Sequence, residues 1–196
     1  MLPDLCAMAR QPCTLGNGAE VDAGHNFHLA TDAVFHQTEM FVHHNLRVLT
    51  DLRRIGISRG PARACAHMGV EMLIDAQLVI NPDYFEAYLR ALRWGAHELS
   101  TAEVSELAQQ WPQSERSSFA DLLSFLVDRG RWVFEASQER IQNRLMGALL
   151  HRKRLSPSQP ELLKIAQFLA NDQLVAANVE NLLSEMQNLQ TPRLGD

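Results

Sequence analysis

The chain has little cysteine, no excess of positive charge and no long apolar run. It also lacks the glycine-rich or serine-centred loops of several common enzyme classes. Its three cysteines, Cys6, Cys13 and Cys65, are an odd number without metal-knuckle spacing. They read as reduced thiols rather than as a disulfide framework, which points to the cytosol. Acidic side chains outnumber basic ones, 23 against 18, for a formal net charge of −5. A general nucleic-acid binder carries a basic face, so no nucleic-acid partner is expected. No apolar run reaches the length that spans a bilayer, and the first residues lack a basic stretch leading into an apolar one. The expectation is a soluble cytoplasmic protein with no membrane partner. A phosphate-cradling glycine loop, a nucleophile-elbow serine and a CxxC pair are missing as well. Those absences exclude nucleotide-triphosphate motors, serine hydrolases of the common fold and zinc ribbons.

What is present is helical patterning. With 196 residues, 46% of them apolar, the chain is long enough to bury one substantial core. From about Val21 to Ile55, apolar residues recur at three- and four-residue steps, as one long helix or two with a kink. Gly56 ends this stretch, with Arg53 and Arg54 in the last turn. Ser58-Arg59-Gly60-Pro61 opens a helix that runs to about Ile80. Asn81-Pro82-Asp83 stops it and caps another, Tyr84 to about Leu99. A short helix then ends near Trp111-Pro112, and the next begins at Ser114 or Ser117 and breaks near Gly130. Ser137 to Leu155 reads as one helix and Glu161 to Leu189 as a long final one. No strand or hairpin signal stands out. The expected fold is all-α, about seven to eight helices in a single domain over 21–190. An irregular arm precedes it over 1–20 and a frayed tail follows over 191–196.

Two stripes of ionisable side chains interrupt the apolar pattern. The first reads His25, His28, Asp32, His36, Glu39, His43, and on a helix it falls within an arc of about 80°. The second, His67, Glu71, Asp75, repeats every fourth residue. Imidazoles and carboxylates so spaced can converge on metal ions between two helices, and they suit zinc, manganese or iron. The plainer alternatives are a solvated helix face for the first stripe and, for Glu71 and Asp75, an ion pair with Arg63 or with an arginine of the last helices. Arg140, Arg144, Arg152, Lys153 and Arg154 form a basic segment that fits a phosphate, or simply an exposed helix face. His43-His44, His97 and His151 read as surface or core residues. A carboxylate-bridged iron oxidase is disfavoured, because such sites want Glu followed three residues later by His. After Glu39 that position holds Val42.

Three stretches together resemble the acyl carrier protein phosphodiesterases, small all-helical enzymes grouped with the HD-type metal phosphohydrolases. They are Gly24-His25-Asn26-Phe27-His28-Leu29-Ala30-Thr31-Asp32 with Phe35-His36, then the segment Ala64 to Leu78, then Ile141 to Leu155 with its Arg152-Lys153-Arg154 run. The resemblance implies an HD-like helical bundle and hydrolysis of a phosphodiester such as 4′-phosphopantetheine on a carrier protein. It implies a divalent ion, manganese first, with iron(II) or zinc as alternatives. It makes Asp32 and Asp75 metal ligands, with His25 and His36 as ligands or phosphate contacts. The family's His-rich opening segment is absent, and Ala76 stands where the family has a histidine.

The leading expectation joins both lines. Asp32, Asp75 and His36 act in catalysis, and His25, His28, His67 and Glu71 complete the metal-binding set. Arg144, Arg152 and Arg154 meet the phosphate or an acidic acyl carrier protein. A homodimer stays open. The alternative is a non-catalytic helical protein of the same fold that binds a metal, ligand or partner.

Overall fold

The computed structural model describes residues 19–100, 113–150 and 152–190. Among them there is no strand, and the eight α-helices make an all-α fold, as the periodicity predicts. In chain order they are α1 (Ala19–Phe35), α2 (Glu39–Arg54), α3 (Arg59–Leu78), α4 (Pro82–Ser100), α5 (Gln113–Arg129), α6 (Gln138–Leu149), α7 (Gln159–Ala170) and α8 (Val179–Gln190). Short 3₁₀ segments lie at Gly130–Phe134 and Ala176–Asn178. No described helix is long and apolar enough to cross a membrane. The expected N-terminal arm up to residue 18, the short helix ending near Trp111-Pro112, and the tail lie outside the described residues.

Chain contacts group the residues into two compact units. The first takes residues up to Ala33 together with Pro82–Val133; the second takes Val34–Asn81 and everything from Phe134 onward. In the first unit α4 packs on α5. Phe85, Leu89 and Leu92 on one face of α4 are buried, as are Leu123 and Leu126 on α5. Beyond α5 the chain turns at Gly130, whose φ of +53° suits glycine.

The second unit is built on α2 with α3 and α6 with α7. Its core includes Val48 and Leu52 from α2, Ala66 and Val70 from α3, Leu145 from α6 and Leu169 from α7. Small residues on α3 let its neighbours come close. A Cβ on Gly69 would lie 2.6 Å from Leu169 Cδ1, and one on Gly60 would lie 2.6 Å from the Arg154 carbonyl oxygen. At both positions only glycine fits without movement.

The Val21–Ile55 stretch resolves into two helices. Thr38, fully buried, is the reason. Its Oγ1 accepts the Phe41 N–H at 3.3 Å and donates to the Phe35 carbonyl at 2.8 Å, which closes one helix and opens the next. Two other expected helices are shorter than their apolar patterns. The helix expected over Ser137–Leu155 stops at Leu149, because the Ser156 hydroxyl donates to the carbonyls of Leu149 and Arg152. The helix expected over Glu161–Leu189 is two helices. Asn171 caps α7 with its Nδ2 on the Gln167 carbonyl at 2.8 Å. Asp172 then turns the chain by accepting the Leu174 N–H at 3.0 Å.

Candidate metal centre

Three of the residues singled out in the sequence meet in the second unit. His36 stands in the turn between α1 and α2, and His67 and Glu71 sit one helical turn apart on α3. His36 Nε2 lies 3.0 Å and His67 Nε2 3.2 Å from the same carboxylate oxygen, Glu71 Oε1. The two imidazoles stack, with centroids 4.8 Å apart and planes 13° from parallel. Their potential ligand atoms all lie within 4.8 Å of one another. Among the described residues this is the one group of histidine, cysteine and acidic side chains tight enough to hold an ion.

Aromatic rings wall the site. Phe41, buried on α2, meets both imidazoles edge-on, at 4.8 Å to His36 and 5.3 Å to His67. Phe35 meets His36 the same way at 5.0 Å. The Thr38 cap fixes both phenylalanines, because it bonds the Phe35 carbonyl and the Phe41 N–H. Sequence periodicity places Phe35 and Phe41 in the core. It does not show that they also orient the histidines, although Phe35 adjoins His36 in the sequence.

Burial alone would push the Glu71 carboxyl up, since desolvation disfavours the charge. The hydrogen bonds and charges of His67 and His36 outweigh it and hold the group below its ordinary range. Glu71 is therefore anionic at neutral pH, as a metal ligand must be. Asp75, one helical turn beyond Glu71, pairs with an arginine: Arg144 Nη2 of α6 lies 3.1 Å from its Oδ2. This is the ion pair with a late arginine that the sequence left open.

The rest of the first stripe is not part of this trio. His25, His28 and Asp32 lie on α1 in the first unit, buried, half-buried and exposed respectively. On α2, the Glu39 backbone N–H donates to Glu185 Oε1 at 2.6 Å, and His43 is exposed with its ring edge-on to His44. His44 is buried, and burial first, then the Arg47 charge, lowers its pKa. Arg140 lies on α6, 4.0 Å from Glu135. Arg152, Lys153 and Arg154 are exposed in the turn after α6. His97 and His151 carry no described side chain.

The chain matches no known protein family, no curated protein and no solved structure. What the site can do is therefore read from its donors. Two imidazoles and one carboxylate are a borderline-soft, anionic set that accepts manganese, iron(II) or zinc and leaves coordination positions for water or substrate.

Proposed function

We propose that the chain is a divalent-metal-dependent phosphodiesterase whose ion is held by His36, His67 and Glu71. The observation that carries this reading is the convergence of both imidazoles on one carboxylate oxygen of Glu71. When bound, a divalent ion there supplies Lewis acidity to a phosphoryl oxygen and acidifies a coordinated water. The protein's own residues supply the setting. Phe35 and Phe41 exclude water from one side of the histidines and hold their rings in orientation. Arg144, drawn in by Asp75 one helical turn beyond Glu71, offers a planar fork of donors to a phosphate. The exposed Arg152-Lys153-Arg154 turn suits an acidic partner surface. These features support the finer reading suggested by the sequence resemblance: release of 4′-phosphopantetheine from acyl carrier protein in the cytoplasm, with manganese as the first candidate ion.

The test is elemental analysis of the purified protein beside Glu71→Ala and His67→Ala variants. It is followed by hydrolysis of bis(p-nitrophenyl) phosphate and mass detection of phosphopantetheine released from the holo carrier protein. Near-stoichiometric metal in the parent, lost with turnover in both variants while the helical circular dichroism stays, is the expected result. Asp32→Ala asks separately whether the α1 stripe contributes. Metal without turnover would favour the non-catalytic metal-binding alternative. Neither metal nor turnover in the parent would overturn both readings.

A further inference from the structure

A second feature of the same unit lies apart from the three histidine and glutamate donors. A cleft of about 690 Å³ opens where the end of α2 meets the end of α7. Ile55, Phe168 and Leu174 give it apolar walls, and Arg47, Lys164 and Asp172 line it with charge. Ile55 and Leu174 are 41% and 56% exposed, large apolar side chains left open to solvent in one concave place. The volume falls within the ordinary range for small-molecule sites, which pair apolar walls with a few fixed polar groups.

The charges in the cleft are unequally committed. The Asp172 side chain is 3% exposed; its Oδ2 accepts Arg47 Nη2 and its Oδ1 accepts the Leu174 N–H. Arg47 also faces Asp51 at 3.8 Å, so its charge is balanced. Its Nε is buried without an acceptor, which leaves the guanidinium oriented by Asp172 rather than by full satisfaction of its donors. Lys164 is exposed and makes no ion pair among the described residues. The cleft therefore offers one uncommitted cation beside an apolar wall, while both oxygens of its carboxylate are already engaged. A cationic ligand would find no open partner there. A plain inorganic anion would leave Ile55, Phe168 and Leu174 uncovered.

We infer that this cleft binds a small organic monoanion with an apolar body, its carboxylate on Lys164 and its chain against Ile55, Phe168 and Leu174. The site is independent of the metal centre, so metal-free protein serves for the test. Sodium octanoate is titrated into isotopically labelled protein and followed by amide chemical shifts. 1-Octanol, octylammonium and inorganic phosphate are run as companions. Saturable shifts confined to the residues lining the cleft, at the end of α2 and around α7 and its following turn, are expected with octanoate, and weak or no response with octylammonium and phosphate. Lys164→Met is expected to weaken octanoate at least fivefold and leave 1-octanol unchanged, while Leu174→Asn weakens both. Both side chains are exposed, so the variants are expected to keep the parent's circular dichroism; Lys164→Gln is a second charge-removing variant. Unsaturable or scattered shifts would overturn the inference. So would equal binding of octylammonium, or octanoate affinity unchanged by the Lys164 substitutions.

Discussion

Glu161, the third residue of α7, accepts the backbone N–H of Ser58, 103 residues earlier in the chain, at 3.1 Å. Its other oxygen accepts the amide of Ser158 at 2.9 Å and the Ser158 hydroxyl at 2.8 Å. Ser58 is the N-cap of α3 and Ser158 the N-cap of α7. One carboxylate thus serves the first turns of two helices, one of which carries His67 and Glu71. The Ser158 side of the arrangement is the acidic half of a capping box, and the Ser58 contact extends it to a second helix.

The backbone hydrogen bonds from Ser158 and Ser58 hold the Glu161 carboxyl at about 2 against an ordinary 4.5. A depressed carboxylate pKa means that this stabilisation is complete above pH 4.5 and is lost as pH falls towards about 2. Glu161→Gln is expected to lower stability at neutral pH by about 1 kcal/mol, the usual worth of a cap. It is also expected to flatten the acid limb between those two pH values. Urea midpoints measured across that range, parent against variant, check both effects. Parallel acid limbs would show that other carboxylates dominate.

Gly69 and Gly147 make an opposed pair. A Cβ on Gly69 meets Leu169 Cδ1 at 2.6 Å and Cδ2 at 2.8 Å, and Leu169 is fully buried. Overpacking of this kind costs about 1–3 kcal/mol and outweighs the helix-propensity gain of about 1 kcal/mol. A Cβ on Gly147, inside α6, meets nothing within 4 Å. Gly69→Ala is expected to lower the urea midpoint and Gly147→Ala to raise it, the latter by about 0.5–1 kcal/mol in free energy. Equal effects would mean that α3 and α7 are not as close as the structure places them.

Much of this architecture is legible in the sequence wherever local chemistry punctuates it. Gly56, Ser58 and Pro82 mark helix ends because their backbone preferences act at the residue itself. The positions of the breaks at Thr38 and at Asn171-Asp172 are not legible, since no glycine or proline stands there. They depend on side-chain hydrogen bonds, and Asp172 is also anchored by Arg47 from 125 residues away. The candidate site divides the same way. His36, His67 and Glu71 stand out by residue type and helical spacing. That Asp75 meets Arg144, 69 residues on, is decided by tertiary packing alone. The roles of Phe35 and Phe41 as walls, and the cleft beside Lys164, follow from the same packing and leave no local signature.

Cys65 tests the burial of the core directly. It is fully buried on α3, and desolvation first, then the nearby charge of Glu161, pushes its thiol up to about 12. Alkylation needs the thiolate and access to it. Iodoacetamide at mildly alkaline pH is expected to leave Cys65 unmodified in the native protein and to label it once urea unfolds the chain. Peptide mass spectrometry separates it from Cys6 and Cys13. Rapid native labelling of Cys65 would contradict its place in the core.

The candidate metal centre makes a stability prediction that needs no substrate. A ligand that binds the folded state alone stabilises it by about 2.7 kcal/mol at a hundredfold excess over its dissociation constant. Thermal unfolding of metal-stripped protein is therefore expected to shift upward on addition of manganese, iron(II) or zinc. His67→Ala and Glu71→Gln are expected to remove the shift. The shift should also shrink on acidification, because protons compete with the metal for both imidazoles and for Glu71. Asp75→Asn supplies the contrast. Its carboxylate meets Arg144, so this substitution is expected to leave most of the metal-induced shift in place. If Asp75→Asn abolished the shift while His67→Ala preserved it, the ion would belong on Asp75, as the sequence resemblance implies, and not among the three residues that the fold brings together.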